Sequence, residues 1–192
     1  MPAPNAAAME FLLTRRSRPA KTLTGPAPDH EALMPILSAG ARTPDHGKLE
    51  PWRFIVLEGT ALTRLAALVE ARGVVLALET DKIDKMYRQF ADADLAVAVI
   101  SAPKPSDKVP EIEQVLSAGA VCLSMLNAAL ASGWGANWLT GWAAHDCVFL
   151  RDGLGLSETE SIAGFIHIGT ETNAPPERPR PDVGAITEWV GA

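Results

Sequence analysis

Arg42-Thr43-Pro44-Asp45-His46-Gly47-Lys48-Leu49-Glu50-Pro51-Trp52 is the stretch around which the rest of the chain is organised. Upstream, Leu33, Ile36, Leu37 and Gly40 repeat at helical spacing; downstream, Phe54 to Leu57 is an unbroken apolar run of strand type. Two prolines and a Pro-Asp turn signal within eleven residues make the connection stiff. Pro44 and Pro51 fix their own φ and push Thr43 and Glu50 toward extended backbone, so Arg42, His46 and Lys48 are held at reproducible angles. Polar groups on a stiff loop suit ligand binding, although the same prolines could simply stop a helix and start a strand.

The remaining composition narrows the class. The chain has 192 residues, 47% hydrophobic and 21% charged, which fits one globular domain with a real core. A net charge of −6 argues against nucleic acid or anionic membrane as partner, so any phosphate must be met by a local cluster. No run of about 18 apolar residues and no leader pattern stands out, which predicts a cytoplasmic protein with no membrane association. Cys122 and Cys147 are too few for a disulfide framework, and Cys122 falls in an apolar helical pattern.

The elements follow in order. Residues 5 to 16 read as a helix capped by Asn5, with Met9, Leu12, Leu13 and Arg16 on one face. Arg15-Arg16-Ser17-Arg18 is the dense basic cluster; guanidinium forks beside a hydroxyl suit a phosphate monoester, or alternatively satisfy the helix's last carbonyls. A second helix spans about Asp29 to Ala41 with Pro35 inside it. Thr60 starts a third, closed by Gly73, and residues 80 to 91 form a fourth. Leu95 to Ile100 reads as a central strand. Pro110 opens the longest helix, to about Ser132; nearly uncharged after Glu113, it has to be buried all round, in a core or against a second subunit. Gly133-Trp134-Gly135 ends it, and an extended segment to Gly141 follows, whose aromatic and hydroxyl groups suit a flat ring or an ordinary strand edge. A short helix from Cys147 to Leu154, a strand from Ser161 to Ile168 and a Pro-rich tail from about Ala174 complete the chain.

Motifs of hydrolases, zincins, kinases and dinucleotide-binding folds are absent, and His30, His46, His145 and His167 do not fall at metal-ligand spacing. His145-Asp146 suggests a dyad, but Asp just before a helix is more often a cap. A basic cluster, a stiff loop with Arg and His, and a Gly-flanked aromatic segment together suit a phosphorylated flat cofactor that supplies the difficult chemistry.

Arg15-Arg16-Ser17, then Ala39-Gly40-Ala41-Arg42-Thr43-Pro44-Asp45-His46 and Pro51-Trp52-Arg53-Phe54, then Ser117-Ala118-Gly119, Gly133-Trp134-Gly135 and Trp138-Leu139-Thr140-Gly141 strongly resemble the FMN-dependent nitroreductase family. The Pro-Asp-His loop is most similar to its small, YdjA-like subgroup. The resemblance spans about residues 9 to 170. It implies an α+β fold, a mainly antiparallel central sheet wrapped by helices, assembled as an intertwined homodimer with FMN at the subunit interface. By similarity, Arg15, Arg16 and Ser17 hold the FMN phosphate, ribityl chain and ring edge, and Trp138, Leu139 and Thr140 line the flavin. Arg42 and His46 reach it from the other protomer. Ala128, Ala129, Leu130, Ala131, Ser132 and Gly133 lie near bound NADH or NADPH.

The implied reaction is ping-pong reduction of an electron-poor acceptor such as a nitroaromatic or quinone, with Arg16 expected to balance charge near flavin N1 and O2. The alternative is a protein that stores or senses flavin without turnover. Two departures stand out. Glu50 replaces the family's usual Gln, which disfavours a negatively charged flavin unless Lys48 or Arg53 pairs with it, and Leu139 replaces the subgroup's usual Arg.

Overall fold

Seven consecutive residues, Leu95–Ser101, are all buried, and this strand, β3, sits in the middle of the sheet. Such a run is needed where helices cover both faces, because alternate side chains then enter two separate cores. The computed structural model describes residues 3–191. Its elements in order are α1 (Ala6–Thr14), β1 (Leu23–Thr24), α2 (His30–Gly40), β2 (Trp52–Glu58), α3 (Thr60–Val75), α4 (Thr80–Ala91), β3, α5 (Glu111–Ala131), β4 (Gly135–Leu139) and β5 (Ser161–Glu171). The sheet runs β1-β5-β3-β2, with β4 also on β5, and every pairing is antiparallel. This is the α+β, helix-wrapped antiparallel architecture expected above.

Ala96, Ala98, Ile100 and Phe165 point toward α3 and α4, where Leu65, Val69, Met86 and Phe90 meet them. Val97, Val99, Ile166 and Ile168 point the other way, toward Leu33 and Ile36 of α2 and Val121, Met125 and Ala129 of α5. The edge-to-face pair Phe90–Phe165, centroids 5.3 Å apart, ties α4 to β5.

Helix α5 departs from its all-round burial. Val121, Cys122, Met125 and Leu126 are buried, but Ile112, Leu116 and Leu123 are 61%, 65% and 45% exposed. Its length and hydropathy would suffice to cross a membrane, yet its inner face is a wall of the core. Helix α1 buries no residue, leaving Met9, Leu12 and Leu13 outside, and the tail carries Ile186 and Trp189 exposed.

Two local expectations are corrected. Gly73 does not close α3, which continues to Val75; a Cβ there would strike Ile83, so glycine is required by the close approach of α4. Glu50 is not extended but left-handed, at φ +47°, as is Lys48 at φ +55°. The Asp45 carboxylate accepts the Glu50 N–H at 2.9 Å and closes the loop upon itself, which outweighs the steric bias from Pro51. The short helix after Asp146 is confirmed but contains a π turn over Phe149–Gly153.

Arg53 of β2 grips Glu160 through two bonds of 2.6 and 3.0 Å, and the Ser157 N–H adds a third to the same carboxylate. These partners, Arg53 foremost, depress the Glu160 pKa from 4.5 to about 2. A carboxylate depressed on folding stabilises the protein above its unfolded pKa and stops doing so as pH falls through the folded one. Glu160→Gln should therefore cost about 1 kcal/mol at pH 7, the exposed Arg53 end limiting the effect, and the gap to wild type should close between pH 4.5 and 2 in denaturant titrations.

Candidate functional site

Helix α1 ends at Thr14 because Arg15 turns to extended backbone, ψ 143°, while its N–H still closes on Phe11 C=O. The basic cluster thus leaves the helix as a short strap, fixed to the edge of β4 by the Arg18 N–H to Ala136 C=O bond of 2.8 Å. The strap lies over a cleft of about 310 Å³ lined by Phe11, Arg15, Arg16, Arg18, Leu130, Gly133, Trp134 and Glu171. Arg15 Nη2 donates to Ser17 Oγ at 3.2 Å, and Arg16 Nη2 to the Pro176 carbonyl of the tail at 3.0 Å. Arg18 pairs with Glu171 at 3.1 Å. The Nε atoms of both Arg15 and Arg16 are buried and find no partner among the described residues. Burial, then the charges of Arg180 and Arg16, lowers the Arg15 pKa. Two desolvated guanidinium donors lacking acceptors fit a phosphate-sized anion.

The floor of this cleft is the end of α5. Gly133, at φ +85°, lets the Trp134 N–H return to Ala129 C=O at 3.0 Å and the Gly133 N–H to Leu130 C=O at 3.1 Å. This helix stop needs a residue that accepts positive φ. It brings Leu130 and Gly133, two of the residues expected at the dinucleotide, to the basic cluster.

Leu139 opens into a different cavity, of about 360 Å³, between the 20–23 segment, α4 and the β4–β5 face. Lys21, Lys85, Arg88, Gln89, Asp92, Asp94 and the buried His167 share it with Leu23, Leu95 and Ile168. Burial pushes the His167 pKa down to about 4, so the ring is neutral at pH 7. Trp138, the neighbour of Leu139, faces the opposite side of the sheet, lies across Gly164 and donates its indole N–H to Ala163 C=O at 3.2 Å. Thr140 is exposed beyond the strand end. Arg16 belongs to the basic cleft and not to the Leu139 cavity.

Arg42 and His46 are exposed on the loop after α2 and line neither cavity. The loop itself is pinned. Thr43 Oγ1 donates to Ser124 Oγ at 3.0 Å, Ser117 Oγ donates to Pro44 C=O at 3.0 Å, and the Trp52 indole N–H reaches Ser117 Oγ at 3.2 Å. His46 Nδ1 lies 2.7 Å from Glu113. Arg53 is committed to Glu160 and not to Glu50. Asp146 is a cap: it accepts the Phe149 N–H at 2.7 Å and holds Arg72 through two bonds. Hydrogen bonding by Arg72 lowers the Asp146 pKa, and exposed His145 takes no part in that network.

The sequence profile of the nitroreductase family matches residues 12–170. The chain belongs to the nitroreductase family. YdjA of Escherichia coli K12, named as a candidate NAD(P)H nitroreductase, is 37% identical over 163 residues, covering 85% of this chain and 87% of YdjA. A Haemophilus influenzae protein of similar name is 37% identical over 164 residues, 85% of this chain and 88% of that one. Among solved structures, a nitroreductase-like protein from Bacillus cereus superposes with a TM-score of 0.80 at 22% identity, covering 99% of this chain and 98% of that one. A candidate nitroreductase from Desulfovibrio desulfuricans in complex with FMN gives 0.74 at 23%, over 98% and 99%. Both share the fold of this nitroreductase-family chain.

Lys85, Gln89 and His167 were not anticipated as site residues. On α4 the first two read as the polar face of an amphipathic helix. The available signal was His167 itself, one imidazole inside the buried run Phe165-Ile166-His167-Ile168, where an unpaired polar group is costly unless it has a purpose.

Proposed function

We propose that the protein is an FMN-dependent NAD(P)H oxidoreductase reducing electron-poor acceptors such as nitroaromatics or quinones, donor and acceptor using one pocket in turn. The observation that carries this reading is the pair of buried, unpartnered Nε atoms on Arg15 and Arg16 beside Ser17. It is supported by relatives named for NAD(P)H nitroreduction and by a structural neighbour in complex with FMN.

In this reading Arg15, Arg16 and Ser17 hold the phosphate, while Trp138, Leu139 and Thr140 bound the ring. FMN, when bound, supplies hydride acceptance and delivery. The chain's own work is placement and charge: Lys21, Lys85 and Arg88 put positive potential around the Leu139 cavity, against Asp92 and Asp94. Arg42 and His46 of the partner subunit complete the site, which accounts for a pinned loop whose cations face away from both cavities of their own chain. The exposed stripes of α1 and α5 form the dimer surface, and Ala128 to Gly133 flank the nicotinamide donor.

The decisive measurement is the absorbance spectrum of the purified protein resolved by size, followed by anaerobic addition of NADH and NADPH. Flavin bands that travel at dimer size and bleach on addition are the expected result. A colourless protein unable to take up FMN overturns the reading. A coloured one that neither nucleotide bleaches is a flavin store or sensor instead.

A further inference from the structure

Two polar atoms in the Leu139 cavity have no partner. His167 Nε2 and Gln89 Oε1 are both buried and, among the described residues, neither has a hydrogen-bond partner, and both residues line the same space. His167 is 3% exposed on β5; Gln89 projects from α4 on the facing wall. An unmet donor or acceptor in a dry interior is costly. Two of them in one cavity are better explained as half of a recognition pattern than as two independent defects.

The chemistry of the pattern is specific. The Gln89 carbonyl oxygen needs an N–H. His167, neutral there, offers a donor when Nε2 carries its proton. Leu23, Leu95, Leu139 and Ile168 supply apolar walls, and Lys21, Lys85, Arg88, Asp92 and Asp94 share the lining. A ligand that satisfies all of these is a flat ring with apolar faces and an edge where an N–H adjoins a carbonyl, as in a cyclic imide.

We infer that Gln89 and His167 form an imide-recognition pair that reads the pyrimidine edge of the flavin ring, Gln89 accepting from its N3–H and His167 donating to an adjoining carbonyl. This rests on the flavin reading proposed above and adds to it the residues that select and orient the ring. They are positioning residues: they fix which edge of the ring lies inside the cavity and leave the opposite part for the reactants.

The test compares FMN with 3-methyl-FMN, which lacks the N3 proton, by titrating each onto the flavin-stripped dimer and following fluorescence quenching. Wild type should bind FMN roughly tenfold or more tightly than the methyl analogue, the worth of one buried hydrogen bond together with the cost of leaving Gln89 unmet. Gln89→Leu should bind both alike. His167→Phe should weaken both by a similar factor, since its bond goes to a carbonyl that both flavins carry. Because His167 lies in the core, a folding defect in that variant would be visible in its melting temperature, and the wild-type and Gln89→Leu comparisons stand without it. Equal affinity of wild type for the two flavins overturns the imide pair while leaving the flavin reading intact. Failure to bind either flavin overturns the flavin reading itself, and the pair with it.

Discussion

Replacing Arg15 and Arg16 together by alanine should weaken FMN binding by roughly 10²–10⁴-fold while leaving the fold in place, taking about 1.5–3 kcal/mol for each charge-assisted bond lost. Neither residue is part of the apolar clusters, and the intrachain bonds that disappear, Arg15 to Ser17 and Arg16 to the Pro176 carbonyl, are peripheral. Both guanidinium groups hold a buried nitrogen with no acceptor, so in the ligand-free chain they contribute strain, and melting temperature should hold or rise. Arg15→Lys should fall between, since an ammonium keeps the charge but not the planar fork. Titration of the flavin-stripped variants, with thermal melts alongside, checks this. A double variant that retains wild-type affinity would place the phosphate elsewhere.

Gly164→Val should cost roughly 2–4 kcal/mol, a loss of about 10 °C in melting temperature for a chain of this size. The Trp138 indole lies on the bare backbone at Gly164, and a Cβ there would overlap its Nε1 and Cδ1 atoms. The ring would have to swing away, breaking its bond to Ala163 C=O. Gly164 pairs with Val99 of the central strand beside a register shift, so the backbone has little room to yield. Pairing the change with Trp138→Ala should recover most of the loss, because the collision partner is then gone. If the single variant melts like wild type, the indole is mobile and the stacking over Gly164 is not a fixed feature.

The elements that were readable share a property: their burial is decided locally. From Leu95 to Ile100 the run at β3 is apolar without interruption because helices cover both faces. Asn5 and Asp29 stand where caps are needed and accept N–H groups at 3.1 and 2.9 Å. The basic cluster was legible because nothing else in an acidic chain concentrates guanidinium groups beside a hydroxyl. What escaped depends on pieces distant in sequence. Gly73 looks like a stop until Ile83 of α4 comes against it. The outer face of α5 reads as core because apolarity alone does not say whether the cover is this chain or another. The Gln89–His167 cavity joins two residues 78 positions apart by number, one in a polar helix face and one in an apolar strand, and becomes visible only when α4 is laid across β5.

The two cysteines also differ in their chemical exposure. Cys122 is enclosed between α5 and the sheet and burial pushes its thiol to about 12, whereas Cys147 lies on the surface. Oxidants and alkylating electrophiles attack the thiolate, so the core cysteine is inert as long as the molecule is closed. Damage in an oxidising burst then falls first on Cys147, at the surface and outside the packed core. The central helix keeps its packing, and the protein ages from the outside inward.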